Sequence, residues 1–455
     1  MRMKPRLIAL AIAAVLLPLL AACGGSAPTT VSAPTAAPIA DGTSGYETSS
    51  QRLGATNAAP PVAPAALPTA APAATSAPPL AGAADEAGVA APMPAGAPPL
   101  RQGQQQLPPL KAGEVDDNLD YAAYQAYLGN FMSGGIRRVD ISERYIITIV
   151  NEQQQPVLDA TIQIFDGDRP VFESRTYAGG RTIFFPRAIG LTPNSNRLRI
   201  EVQKGQSSAS GQIIRGQDER QTIVLAGAEA IPATTKLDVL FLLDATGSMG
   251  DEIGSIQQTI DSIAARIAQF EPRPTLRFGL VSYRDQGDAY VTNLDSNFTS
   301  DVNAFRQSLL QVRADGGGDT PEDMNSGLQV AIQQMNWSSD SVRLVFLVAD
   351  APAHLDYGQE FDYASATREA VRKGIKIYPI GASNTDDLAE YQFRQMAQQT
   401  MASFIFLTYQ PGQSGGAPGE STTMNVDPEQ FTVDRLDDLV VQIVQRELRA
   451  AIGAS

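Results

Sequence analysis

The spacing of apolar residues divides the chain into stretches of different period. Between residues 145 and 225 apolar and polar positions alternate with a period of two, as in half-buried strands. Residues 145–150, 157–165, 181–185, 197–202 and 221–224 read as short strands separated by Gly- and Asn-containing turns, which predicts a small antiparallel β-sandwich. From residue 237 the pattern changes. Residues 237–243 (LDVLFLL) form a near-continuous apolar run, as expected of a strand buried on both faces of a parallel sheet. Further strands are predicted at 277–283, 342–348, 375–380 and 402–407. Helices are predicted at 250–270, 300–312, 321–335, 363–373, 385–399 and 433–451. Strands alternating with helices predict a doubly wound α/β fold, in which ligands collect beyond the carboxyl ends of the strands. Ahead of both regions, residues 116–132 carry Tyr121, Tyr124, Tyr127 and Phe131 at intervals of three and four. This predicts a short amphipathic helix whose aromatic stripe packs on a neighbouring domain.

Composition changes the picture for the first quarter of the 455-residue chain. Residues 24–107 are mostly Ala, Pro, Ser, Thr and Gly, and cannot bury enough apolar surface to offset ordering entropy. They predict a disordered, Pro-extended tether with a reach on the order of 100–250 Å. Before it, Arg2, Lys4 and Arg6 precede an apolar run from Leu7 to Leu20. At about 14 residues this run is short of the roughly 20 that span a bilayer, and it reads as an export signal. The expected layout is a signal peptide at 1–22, a tether at 23–112, a short helix with the β-sandwich at 113–230, and the α/β domain at 235–451.

Charge and rare residues narrow the chemistry. The net charge of −15 argues against nucleic acid, because phosphate binding needs clusters of Lys and Arg. One cysteine, Cys23, excludes a disulfide within the chain and a thiolate metal cluster. One histidine, His354, excludes poly-histidine metal sites and argues against a Ser-His-Asp system.

Three segments fall at the predicted strand ends: Asp244-x-Thr246-x-Ser248, Gly316-Gly317-Gly318-Asp319-Thr320-Pro321-Glu322-Asp323, and Asp350-Ala351-Pro352. They offer carboxylate and hydroxyl oxygens and no soft donors, a set suited to a hard cation such as Mg²⁺, with Mn²⁺ or Ca²⁺ as alternatives. Taken alone, Asp244 also reads as a helix N-cap, a common role for Asp. Asp285 and Asp288 read as solvated loop residues, and His354 and Tyr357 as candidate rim residues near the third segment.

These motifs carry three resemblances. Residues 20–24, Leu-Ala-Ala-Cys-Gly, resemble the lipobox of bacterial lipoproteins, which implies a diacylglyceryl thioether on Cys23 and an extracytoplasmic, membrane-anchored protein. The strand-turn-strand at 150–164 resembles transthyretin-like or carboxypeptidase-regulatory-like sandwiches. The region from about Thr235 to about Arg449 resembles von Willebrand factor type A (VWA) domains with a metal-ion-dependent adhesion site. That resemblance implies Asp244, Thr246 and Ser248 as first-loop ligands, Thr320 as the second-loop ligand and Asp350 as the third, with Asp319 and Glu322 as possible outer acceptors. It also implies a protein partner that presents an Asp or Glu carboxylate, and a binding rather than a catalytic function. A metal-dependent envelope hydrolase, or a scaffold whose metal only stabilises the fold, are the alternatives.

Overall fold

A computed structural model describes residues 109–228, 234–271, 273–408, 424–426 and 431–454. The expected signal peptide, Cys23 and nearly all of the expected tether lie outside the described residues.

In chain order the elements are β1 (Lys111–Val115), α1 (Tyr121–Asn130), β2 (Tyr145–Val150), β3 (Thr161–Asp166), β4 (Arg169–Arg175), β5 (Arg181–Phe184), β6 (Arg197–Lys204), β7 (Ser207–Ile214) and β8 (Arg220–Val224). There follow β9 (Lys236–Asp244), α2 (Ile253–Ile267), β10 (Thr275–Tyr283), β11 (Thr292–Thr299), α3 (Val302–Leu309), α4 (Met324–Gln329), β12 (Ser341–Ala349) and α5 (Tyr363–Lys373). The chain continues through β13 (Ile375–Gly381), α6 (Asp387–Gln399), β14 (Phe404–Leu407), β15 (Asp434–Arg435) and α7 (Leu436–Ala451).

The predicted α/β architecture is present as an 8-stranded sheet of order β11-β10-β9-β12-β13-β14-β1-β15. Strands β10, β9, β12, β13 and β14 are mutually parallel. The central strand β9 is buried on both faces, which is why residues 237–243 are apolar without alternation. Phe241 stacks on Phe346, and Phe346 on Tyr378, across neighbouring strands. Helix α2 places Ile256, Ile260, Ile263 and Ile267 on its buried side, at the three- and four-residue steps an amphipathic helix requires. The expected helix at 321–335 begins only at Met324, where the Asp323 side chain accepts from the Ser326 amide. The three residues before it are drawn into a loop in which Glu322 bridges to Ala353.

The strands expected between 145 and 225 form a 3-stranded sheet, β5-β2-β8, and a 4-stranded sheet, β4-β3-β6-β7. The β2–β8 pair is parallel, against the all-antiparallel expectation. Ile147, Ile149, Ile162, Ile164, Leu198, Ile200 and Ile213 make one core between the sheets.

Residues 111–115 do not belong with the tether or the sandwich. Strand β1 lies in the large sheet, antiparallel to β14, with Ala112 opposite Leu407 and Val115 opposite Phe404, and β15 pairs on its other side. The β-sandwich is therefore an insertion between the first strand of the large sheet and the rest of that domain. Helix α1 packs against both. Tyr124 joins Ile141, Ile183 and Phe185 in one cluster. The Phe131 ring lies 4.6 Å from that of Tyr391 on α6.

Candidate metal centre

Strand β9 ends in Asp244, and β12 ends at Ala349 immediately before Asp350. The parallel register thus delivers both carboxylates to one end of the sheet. Asp244 is fully buried. Its Oδ1 accepts from the Thr246 amide at 2.9 Å and from Thr246 Oγ1 at 2.6 Å, and its Oδ2 accepts from the Tyr283 hydroxyl at 3.2 Å. Thr246 Oγ1 lies 3.2 Å from Ser248 Oγ, which donates to Asp350 Oδ1 at 3.0 Å. Four predicted ligands are thus joined in one hydrogen-bonded run with carboxylates at its ends and hydroxyls between.

The second loop reaches this run through its glycines. The Gly247 amide donates to the Gly316 carbonyl at 3.0 Å. Gly316 and Gly317 both have φ in the left-handed region. A Cβ on Gly317 would stand 3.3 Å from Thr246 Cβ and 3.0 Å from Glu322 Oε1, so a side chain there would press on both from a φ that favours glycine. Thr320 is exposed in this loop, and no hydrogen bond among the described residues joins it to the other four. Asp319 is exposed likewise. Glu322 instead is buried, with Oε2 left without a hydrogen-bond partner among the described residues.

Asp285 and Asp288 correct the sequence reading. Asp285 is buried, and its carboxylate accepts from the Tyr357 hydroxyl at 2.7 and 2.8 Å. Asp288 Oδ2 accepts from the Gly317 amide at 2.8 Å and so braces the second loop. His354 is buried and stacks on Tyr357 with ring centroids 3.8 Å apart. Its Nδ1 lies 2.7 Å from Asp356, and its Nε2 lies 3.7 Å from Asp285. The signals for Asp285 were absent locally, because its partner Tyr357 lies in a different loop.

Burial and mutual repulsion act on the acids together. Burial, with Asp285 nearby, pushes the Asp244 carboxyl up to about 6. Burial and then the Asp244 charge raise Asp350 to about 7. Burial, followed by Asp244, Asp285, Asp350 and Asp288, raises Glu322 to about 8. Such a site holds more negative charge than its surroundings stabilise, and a proton or a cation relieves it. Among the described residues no group of three or more His, Cys, Asp or Glu is arranged to hold a metal ion. The donor set is instead two carboxylates with hydroxyls, which fits a hard cation that keeps some of its water. The unpartnered buried oxygen of Glu322 beside the Thr246 loop is consistent with that fit.

Residues 238–410 match the family model described as von Willebrand factor A domain. The alpha-protein kinase vwkA of Dictyostelium discoideum is 32% identical over 126 residues, covering 28% of this chain and 20% of that protein. The von Willebrand factor A domain-containing protein 7 of Rattus norvegicus is 35% identical over 111 residues, covering 24% of this chain and 11% of the relative. The chain thus spans a fifth or less of the length of these relatives. Among solved structures, the conserved hypothetical protein BatB from Bacteroides thetaiotaomicron aligns with a TM-score of 0.33 at 12% identity, over 47% of this chain and 99% of that one. Proximal thread matrix protein 1 from the mussel byssus aligns with a TM-score of 0.30 at 14% identity, over 37% of this chain and 41% of that one. With its parallel sheet and the loops gathered at the ends of β9 and β12, the segment 238–410 is a von Willebrand factor A domain.

Proposed function

We propose that this protein is an extracytoplasmic binding protein, anchored to a bacterial membrane by a lipid on Cys23, whose VWA domain captures a protein partner through a divalent cation. The observation that carries the reading is the hydrogen-bonded run from Asp244 through Thr246 and Ser248 to Asp350. Asp244, Thr246, Ser248 and Asp350 would hold Mg²⁺ or Mn²⁺, with Thr320 reached from the second loop. A bound ion of this kind supplies an open coordination position that favours an anionic oxygen from outside. The chain's own residues set the selectivity. Two carboxylates only balance a 2+ ion, and the neutral hydroxyls leave it electron-poor. Asp285 and Asp288 surround the site with negative charge, so a carboxylate from a partner gains access only when the cation is present. Tyr357, half-buried on the loop after β12 with the buried His354 stacked behind it, would flank an approaching partner.

Binding is favoured over hydrolysis because His354 Nε2 faces the Asp285 carboxylate at 3.7 Å and no hydroxyl nucleophile among the described residues hydrogen-bonds it. The test is calorimetric titration of Mg²⁺ and Mn²⁺ into the full chain and its Asp244→Ala variant, followed by capture from the native envelope with and without EDTA. The reading expects metal binding by the wild type alone, and partner capture that EDTA and Asp244→Ala both abolish. Equal capture of the same partners by both proteins, with and without EDTA, would sink it. Metal-dependent turnover of an envelope ester or glycan would favour the hydrolase. Metal that raises thermal stability without changing capture would favour the scaffold.

A further inference from the structure

Strand β10 ends at Tyr283, and Arg284 and Asp285 follow it beside the candidate metal centre. All three side chains are buried. Successive side chains leave an extended chain on opposite sides, so neighbours at a strand end can reach different loops. These three each take a different one. The Tyr283 hydroxyl donates to Asp244 Oδ2 of the first loop at 3.2 Å. Arg284 Nη2 donates to the Arg313 carbonyl, at the entry to the second loop, at 2.9 Å. The Asp285 carboxylate accepts from the Tyr357 hydroxyl of the third loop.

Arg284 is the unexpected member. Its guanidinium is buried, and its Nε has no hydrogen-bond partner among the described residues. The acid it meets, Asp315, lies 3.7 Å away and is largely in water, a pair that contributes little. The guanidinium instead sits over the Tyr290 ring, 4.5 Å from its centre, and holds the Arg313 carbonyl. Two residues on, the Asp315 amide donates to the Ala245 carbonyl at 3.0 Å, between Asp244 and Thr246. We propose that Tyr283, Arg284 and Asp285 form a frame that holds the three loops in the cation-binding arrangement, with Arg284 as the positioning residue for the second loop. The inference rests on the reading of this site as a divalent-cation centre. Without the frame, the second loop is free to draw away from the first and the site widens. A wider site penalises Mg²⁺, which needs a tight octahedron, more than the larger and more tolerant Ca²⁺.

The experiment is calorimetric titration of Mg²⁺ and Ca²⁺ into the full chain, as wild type, Arg284→Met, Arg284→Lys and Asp285→Ala. Circular dichroism in EDTA gives the folded fraction of each. Arg284→Met should weaken Mg²⁺ binding about tenfold or more, and Ca²⁺ binding by a smaller factor. Asp285→Ala, which frees the third loop, should shift the ratio of the two affinities the same way. Arg284→Lys should fall between wild type and Arg284→Met, since an ammonium can donate to the Arg313 carbonyl but lays no planar group on Tyr290. A ratio that stays at the wild-type value in Arg284→Met or in Asp285→Ala would overturn the proposal. So would affinity lost only in proportion to the folded fraction, the mark of a merely structural residue. Should Arg284→Met not fold, the ratio in Arg284→Lys decides by the same criterion. A wild type that binds neither ion is a different outcome: it removes the divalent-cation reading itself, and this inference with it.

Discussion

The Asp159 carboxylate, in the sandwich turn after β2, accepts one hydrogen bond on each oxygen from the Arg343 guanidinium on β12, both at 2.9 Å. Arg343 also donates to the carbonyls of Ser338 and Lys373, and the Asp340 amide donates to Asp159. With Asp159 3% and Arg343 7% exposed, this is a buried joint between the sandwich and the VWA sheet.

Breaking that joint on one side leaves a buried charge uncompensated. Asp159→Ala should cost about 3 kcal/mol or more, measured by chemical denaturation. Burial raises the Asp159 carboxyl, but the hydrogen bonds and charge of Arg343 outweigh it and hold the group below its ordinary value. A depressed acid contributes stability that is full above the unfolded value of about 4 and is lost as pH falls through the folded value. The stability gap between wild type and Asp159→Asn should therefore be widest at neutral pH and close on acidification below about pH 4. A gap that is constant with pH would contradict the assignment.

Gly317 sets the distance between the first and second loops of the candidate metal centre. Gly317→Ala introduces a side chain at a left-handed φ and against Thr246 and Glu322. It should cost about 1–3 kcal/mol and weaken Mg²⁺ binding about tenfold or more, as loss of outer support does in metal sites. Unchanged metal affinity in a calorimetric titration would show that the second loop does not shape the site.

Arg394 on α6 fastens the segment that carries α1. It makes two hydrogen bonds to the Asp117 carboxylate, at 2.6 and 2.9 Å, bonds Glu390 at 3.0 Å, and lies 4.0 Å from the centre of the Tyr127 ring. Arg394→Ala should destabilise by about 3–5 kcal/mol, and hydrogen exchange in Tyr121–Asn130 should accelerate before that in β9. Arg394→Lys should rescue only part of the loss, since an ammonium cannot hold a carboxylate with two parallel bonds.

Anchoring has its own test. Cys23→Ser should leave an unprocessed or mislocalised protein that no longer enters the detergent phase on partitioning. A variant that matures and partitions like wild type would remove the lipid from the proposal.

The central strands and the loops of the candidate site were legible as segments because each is written in consecutive residues. A strand buried on both faces needs an unbroken apolar run, and the loops that follow β9 and β12 carry their oxygens at once. What was not legible lacks a local signature. Strand β11 (TNLDSNFT) is a half-exposed edge, and β7 (SSASGQII) is largely polar, so neither shows an apolar period of its own. Strand β1 (KAGEV) is recruited by its backbone partner β14 rather than by hydrophobicity. Asp285 looks like any loop acid until Tyr357 closes over it. The lipobox-like segment at residues 20–24 lies outside the described residues and rests on the sequence alone.

The place of β1 has a consequence for how the chain matures. Its partners, β14 and β15, are made after the whole sandwich and all the other strands of the large sheet. During synthesis the first strand must therefore wait, while the sandwich, whose strands are contiguous in sequence, can already close. A nascent chain arrested before Phe404 would hold a finished insert inside an unfinished host, with the edge of β13 open to strangers. Early arrest products should be bound by chaperones, and release should coincide with emergence of the segment from Phe404 to Leu407.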